Sequence, residues 1–278
     1  MPTGLLVLPF PAIDPVALEI GPIAIRWYGL AYMAGLLLGW FYLRRLLANN
    51  NMWPDGPPIK PNLLDDLIIY VTLGVIVGGR LGSVLLYHPE FYFQNPLEIF
   101  KIWNGGMAFH GGLIGTVLAI ILFARKQGVS PFFVGDLVCA AVPIGMFFGR
   151  IANFINGELW GKVSNVPWAM VFPAAGPEPR HPSQLYEALL EGAILFLVLW
   201  FLIHHRNWLR TPGMISGMFL SGMAAGRIVS EIFRVGDPVP GLEHIPYSAG
   251  IIYSIPLFLI GIGLLAICRK NPSLQAHR

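Results

Sequence analysis

Seven runs of about twenty mostly apolar residues constrain this chain more than any other feature, since that is the helix length needed to cross a bilayer core of ~30 Å. They fall near residues 21–44, 65–87, 107–125, 132–152, 184–204, 213–233 and 246–268, those near 132–152 and 213–233 being interrupted by polar residues and glycine. Of the 278 residues, 55% are hydrophobic and only 12% charged, half of the roughly 25% charged residues usual in soluble domains. That composition excludes both a water-soluble surface and intrinsic disorder. Glycine and proline are frequent, but without the three-residue period of collagen. Cys139 and Cys268 lie in apolar runs and are no disulfide framework. A net charge of +3 is too small to argue for nucleic acid as a partner.

The distribution of basic residues orients the runs. Arg44, Arg45, Lys60, Arg125, Lys126, Arg206, Arg210, Arg269, Lys270 and Arg278 fall at one set of ends, and Lys101, Lys162, Arg180 and Arg234 at the other. The positive-inside rule then predicts an all-α polytopic fold of seven transmembrane helices, N-terminus outside and C-terminus cytoplasmic. The first twenty residues contain several prolines and no basic stretch, unlike a cleavable signal peptide, and read as an outer, interfacial segment. No linker or charge run marks a separate soluble domain, so residues 1–278 read as one integral membrane domain. Its outer loop at about 153–183 is too rich in apolar and aromatic residues for disorder.

An ionisable group inside a span costs at least ~2.5–3.5 kcal/mol on insertion scales, so each needs an explanation. Arg26, Arg80, Asp136, Arg150, Glu187, Glu191, Arg227 and Glu231 qualify, and His110 is similar. With the predicted topology, Arg150, Arg227, Glu231, His110, Arg26 and Tyr28 come from four different spans to one depth in the outer half of the bilayer. That convergence predicts a shared cavity open to the outer face. The densest stretch is Gly149-Arg150-Ile151-Ala152-Asn153-Phe154-Ile155-Asn156-Gly157-Glu158-Leu159-Trp160-Gly161. A guanidinium presents a donor fork matched to phosphate, and Arg150 with Arg227 are candidates to clamp one from two sides. The plainer alternative pairs each arginine with a buried glutamate such as Glu231 or Glu158. For Arg80, neighbouring Gly78, Gly79 and Gly82 equally suit close helix packing.

A neutral imidazole is suited to accept a proton near neutral pH, which makes His110 a candidate base. From composition alone, a hydrogen-bonded histidine in the glycine-rich face of His110-Gly111-Gly112 is the better reading. The stretch Arg180-His181-Pro182-Ser183-Gln184-Leu185-Tyr186-Glu187 is sufficiently explained as a helix start. Trp27, Tyr28, Trp103, Trp160 and Trp168 read as interfacial anchors. There is no zinc-spaced His/Cys set, phosphate-binding glycine loop or nucleophile elbow. Neither metal nor other cofactor is expected.

Several of these stretches resemble the motifs of bacterial prolipoprotein diacylglyceryl transferases. The run Gly149–Gly161 is similar to the family signature. Ile25-Arg26-Trp27-Tyr28-Gly29, Gly79-Arg80-Leu81-Gly82, His110-Gly111-Gly112, the block from His181 to Glu187, and Arg227-Ile228-Val229-Ser230-Glu231 resemble its other elements, in order. Where the family often carries a tyrosine one turn before that last arginine, this chain has Met223. The resemblance implies an inner-membrane transferase acting on phosphatidylglycerol and the lipobox cysteine of a preprolipoprotein. A thioether would form and glycerol 1-phosphate would leave.

A cysteine thiol with a pKa near 8.5 is only about 3% thiolate at pH 7, so such chemistry needs a base as well as a counter-charge for the departing phosphate. His110, Arg150 and Arg227 are the expected catalytic groups. Tyr28, Asn153, Asn156, Glu158, Gly161, Glu231 and Arg80 complete the expected substrate-binding set. A transporter or flippase using the arginines to hold an anionic lipid in transit is the competing class. A structural scaffold would leave the polar cluster unexplained.

Overall fold

The computed structural model describes residues 8–11, 13–239 and 247–270. Arg278, counted in the charge bias, the first seven residues and the start of the last apolar run at 246 lie outside the described residues. Among the described residues, seven long helices carry the fold: α1 (Trp27–Leu47), α2 (Leu63–Tyr87), α3 (Phe109–Gln127), α4 (Pro131–Ile155), α5 (Ser183–Arg206), α6 (Met214–Phe233) and α7 (Ala249–Lys270). All but α6 are long and apolar enough to cross a membrane. The exception has a physical reason. α6 buries Ser216, Ser221, Ser230 and Glu231 against its neighbours, so its sequence answers to a polar interior rather than to lipid.

Local signals account for most helix ends. α3 stops at Gly128, whose φ of +68° ends the turn in the left-handed region. α4 then starts with Pro131 at its first position, where a missing N–H costs nothing. The first apolar run was expected to be helical from residue 21 but is not. Val16–Ile20 (β2) pairs antiparallel with Ile23–Arg26 (β3), and the helix begins only at Trp27. Gly21, at φ +59°, takes the first position of the two-residue hairpin turn, and the next residue is Pro22. A second small sheet joins Leu8–Pro9 (β1) in parallel to Met170–Val171 (β4), so the expected all-α architecture carries two short β elements.

α4 is the centre of the bundle, packing against α1, α3, α5 and α6. The closest helix pairs meet through glycine, as membrane helices do when small residues let backbones approach. A Cβ on Gly82 of α2 would lie 2.7 Å from the Cα of Gly111 in α3, and one on Gly78 would lie 2.8 Å from the Cα of Gly115. Gly35 of α1 meets Gly145 of α4 in the same way, a Cβ there standing 2.8 Å from its Cα. The end of the bundle opposite Arg150 holds a hydrophobic core that includes Leu47, Leu64, Phe123, Leu137, Leu199 and Leu209.

Asp136, flagged as an intramembrane carboxylate, is fully buried in α4 and accepts from Gly213 N (2.8 Å), Ser216 N (2.7 Å) and Ser216 Oγ (2.6 Å). It therefore caps the start of α6 from a neighbouring helix.

Candidate active site

The start of α1, the end of α4 and the segment that follows α4 supply the head of a cleft between α1, α2 and α4. It encloses about 710 Å³. Tyr28, Tyr32, Arg150, Asn153 and Leu159 line one end, while Trp40, Leu43, Leu64, Leu67 and Val71 line the other. Leu43 stands fifteen positions beyond Tyr28 in α1, about 22 Å of helix rise. The cleft therefore has a polar head and a long apolar body.

Arg150 belongs to both the cleft and the charged cluster behind it. Its Nη1 lies 2.9 Å from Glu187 Oε2 and its Nη2 lies 3.4 Å from Glu191 Oε2, both carboxylates being fully buried on α5. Arg227 comes to the same place from α6. Its Nη1 donates to Glu187 Oε1 at 2.9 Å, and its Nη2 lies 3.1 Å from Glu231 Oε2. Arg234, just past α6, approaches Glu187 Oε1 and Glu231 Oε1 at 3.6 Å each. Three guanidiniums and three glutamates thus form one interlocked array. The two arginines from separate helices do meet, through Glu187, but only Arg150 lines the cleft. Arg227 is ringed by Glu187, Glu191 and Glu231 and does not line the cleft. The plainer alternative, an arginine paired with a buried glutamate, holds for both: Arg227 pairs with Glu187 and Glu231, and Arg150 with Glu187 and Glu191 of α5 rather than with Glu158.

Glu158 instead accepts from Asn153 Nδ2 at 2.8 Å and Asn156 Nδ2 at 3.4 Å. Its backbone carbonyl accepts from Gln184 Nε2 at 2.5 Å, tying the segment after α4 to the first turn of α5. Asn153 lines the cleft; Asn156, Glu158 and Glu231 do not. Gly161 is a crossing point of the backbone. Its N–H donates to the His181 carbonyl at 2.9 Å, and a Cβ on it would lie 2.6 Å from Phe233 O and 2.7 Å from His181 Cβ. Tyr28 and Tyr32 share a hydrogen bond at 3.3 Å at the mouth of the cleft.

His110 stands one residue from the cleft wall, where Phe109 is part of the lining. Its Nδ1 is 3.0 Å from Tyr87 Oη and its ring meets Tyr253 of α7 edge-on, with centroids 5.9 Å apart. The adjacent glycines admit a helix: Gly111 and Gly115 pack on Gly74, Gly78 and Gly82 of α2. Arg80 lies apart from the cleft. It is 5% exposed and donates to the carbonyls of Ile99 (2.8 Å), Gly105 (2.5 Å), Gly106 (3.2 Å), Lys101 (3.2 Å) and Glu98. Those bonds fix the connection between α2 and α3, and a buried guanidinium so occupied has few donors left for a lipid, so its expected substrate-binding role is not what the geometry shows.

The connection at 153–183 closes over this end of the bundle. Phe172, fully buried, packs on Phe10 (5.1 Å), Phe154 (6.3 Å) and Trp160 (6.4 Å). Trp160 is thus a packing residue, while Trp103 remains 76% exposed, as an interfacial anchor would be. Trp168 donates to Tyr186 Oη at 2.6 Å. His181 Nδ1 lies 3.0 Å from the same hydroxyl, and burial, with Lys162 nearby, pulls the His181 pKa below its ordinary value.

Sequence reasoning missed Glu187, Glu191 and Arg234 as members of the cluster. Two carboxylates four apart in an otherwise apolar run were the available signal for the first two. Arg234 was counted as an ordinary outer basic residue.

Fold and site define a multi-pass helical membrane protein in which an ionic array stands at the polar head of an apolar cleft. A family model described as prolipoprotein diacylglyceryl transferase matches residues 15–267. The phosphatidylglycerol–prolipoprotein diacylglyceryl transferase of Rhizobium meliloti (strain 1021) is 51% identical over 270 residues, 96% of each chain. That of Rhizobium leguminosarum bv. trifolii is 50% identical over 281 residues, covering 99% of this chain and 100% of the relative. That of Agrobacterium fabrum is 51% identical over 263 residues, 94% of each. This chain belongs to the prolipoprotein diacylglyceryl transferase family.

Proposed function

We propose that this protein moves the diacylglyceryl group of phosphatidylglycerol to the thiol of a lipobox cysteine in a preprolipoprotein. The thiol sulfur bonds to the glyceryl carbon, the carbon–oxygen bond to phosphate breaks, and glycerol 1-phosphate departs. The observation that carries this reading is Arg150, in a chain of this family, placed at the head of a cleft long enough for acyl chains. Lipid tails fit the apolar body between α1, α2 and α4, and the phosphate meets Arg150 beside Asn153 and Tyr28. Negative charge building on the leaving oxygen is stabilised by a fixed guanidinium in surroundings of low dielectric. Arg227 supports Arg150 through Glu187 rather than touching the phosphate itself.

His110 takes the thiol proton. With Nδ1–H donating to Tyr87 Oη, 3.0 Å away, the lone pair on Nε2 is left to accept it. The peptide then reaches His110 from the side of Tyr87 and Tyr253, and the lipid from the side of Phe109.

The reading places seven spans in a bacterial inner membrane, α6 included, with the N-terminus and the Arg150 end outside and the C-terminus cytoplasmic. The ten-to-four bias of Lys and Arg supports this orientation. The chain is a single membrane domain and needs no cofactor.

Purified protein incubated with phosphatidylglycerol and a lipobox peptide should add a diacylglyceryl mass to the peptide and release glycerol phosphate. Movement of phosphatidylglycerol between leaflets without product would replace the reading with transport, which family membership does not favour. His110→Gln keeps a hydrogen-bonding side chain but cannot act as an imidazole base, and should cut turnover severely. Near-normal turnover would remove His110 as the base.

A further inference from the structure

Arg150 presents the cleft with only part of its guanidinium, and what holds the rest is one buried carboxylate shared among all three arginines. Glu187 Oε2 lies 2.9 Å from Arg150 Nη1, while Glu187 Oε1 lies 2.9 Å from Arg227 Nη1 and 3.6 Å from Arg234 Nε. No other glutamate of the array reaches all three. Glu191 serves Arg150 and Arg227, and Glu231 serves Arg227 and Arg234. Glu187 is fully buried, in the first turn of α5, and the π-helical segment Ala188–Ile194 that follows it carries Glu191. Such a wider turn recurs at functional sites. The charges of the array balance, with Asp237 standing beside Arg234 as a solvent-facing addition.

We propose that Glu187 is a positioning residue for the transfer: it fixes the fork of Arg150 toward the cleft and competes with the lipid phosphate for that arginine. The inference rests on the function proposed above. An arginine engaged on one edge by Glu187 and Glu191 keeps three of its five N–H groups for a phosphate. Its direction is set before substrate arrives, which is the condition for electrostatic stabilisation of a transition state. The same carboxylate offsets part of the positive charge, so the released glycerol phosphate, an anion with at least as much charge as the lipid, is not trapped. Without Glu187 the array becomes net positive, holds anions harder and holds Arg150 less firmly. Grip and turnover then move in opposite directions, an effect that simple loss of folding does not produce.

The test is Glu187→Gln in the full-length chain, reconstituted in nanodiscs of phosphatidylglycerol diluted in neutral lipid and assayed with a lipobox peptide. At an unchanged denaturation temperature, kcat should fall at least ten-fold while KM for phosphatidylglycerol falls at least three-fold, and added glycerol 1-phosphate should inhibit more strongly. A folded variant with kcat within two-fold of wild type, or one in which kcat falls and KM rises together, would overturn the proposal. If Glu187→Gln does not fold, Glu187→Asp decides: it keeps the charge but withdraws the carboxylate, so kcat should fall ten-fold with KM within two-fold, and a wild-type kcat would overturn the role. Wild-type protein in the same assay separates the two failures. No product from it sinks the transfer reading, whereas normal product alongside an unaffected Glu187→Gln sinks only the role of Glu187.

Discussion

Asn153 donates its side-chain amide to the carboxylate of Glu158, five residues further on, at 2.8 Å. The bond crosses the end of α4, so the cleft-lining face of Asn153 and the segment that roofs the site are set together. Asn153→Ala should lower transfer activity by roughly ten-fold, because a net hydrogen bond to a charged group contributes about 1.5–3 kcal/mol. Asn153→Asp should be worse than alanine, since it puts two carboxylates where one amide bridged them. Product formation by mass spectrometry ranks the three proteins, and an aspartate variant more active than the alanine one would show that Glu158 is not the partner that matters.

Gly161 passes between His181 and Phe233 with no room for a side chain. Its neighbour Lys162 donates its backbone N–H to the Phe233 carbonyl at 2.8 Å, and Gly161 itself bridges to Arg234. A methyl group on Gly161 would push this connection off α6 and shift Arg234 within the array. Gly161→Ala should therefore cost about 100-fold in turnover, the scale of a displacement of about 1 Å at a catalytic geometry. Normal activity of that variant would mean that the roof can move without disturbing the arginines.

Helix positions were readable to within a few residues, because length and apolar runs leave membrane helices little freedom. Trp27 as the start of α1 was not readable: Gly21-Pro22 inside an apolar stretch was the only sign of the hairpin before it. The polar cluster was readable as a depth, since charges in apolar runs are too costly to be accidental. Its pairings were not. Whether Arg150 meets Glu158 or Glu187 depends on the rotation of α5 about its axis, which packing and the π segment at Ala188–Ile194 set. Arg80 shows the same limit. Its burial under the backbone carbonyls of residues 98–106 depends on a loop path that no residue pattern specifies.

Asp136 offers a stability test away from the site. Three donors at the start of α6 converge on its fully buried carboxylate. Asp136→Ala orphans all three and should destabilise the protein by about 2–4 kcal/mol, given ~1–3 kcal/mol for each unsatisfied buried group and partial relaxation. Asp136→Asn keeps one acceptor oxygen, enough for the two donors of Ser216 but not for Gly213 N–H, and should cost less than alanine. Denaturation temperatures in one detergent provide the measurement. An alanine variant as stable as wild type would show that α6 finds other partners for its first N–H groups.

His181 gives a pH dependence with a definite sign. Burial first, and Lys162 second, lower its pKa in the fold, below the ~6.5 of an unfolded chain. The unfolded chain then takes the proton more readily, so the stability contribution is complete above about pH 6.5 and is lost as pH falls below it. The denaturation temperature should decline from about pH 7 to about pH 5.5, and His181→Gln should flatten part of that decline. Parallel curves for the two proteins would assign the acid sensitivity to other groups.

Arg150→Lys asks whether charge or shape matters at the head of the cleft. The guanidinium reaches Glu187 at 2.9 Å and Glu191 at 3.4 Å through different nitrogens and still faces the cavity. A lysine ammonium is a single point with three donors on a flexible stem. Paired with Glu187 it withdraws from the cleft; extended toward a phosphate it abandons two buried carboxylates. Either choice forfeits about 3–4 kcal/mol of transition-state stabilisation, the scale seen when one oxyanion donor is removed, or roughly 10²–10³-fold in kcat. Protein with intact folding and that loss would establish the fork as the working feature. Turnover within a few-fold of wild type would mean that positive charge alone suffices, and a bidentate grip on the phosphate would have to be abandoned.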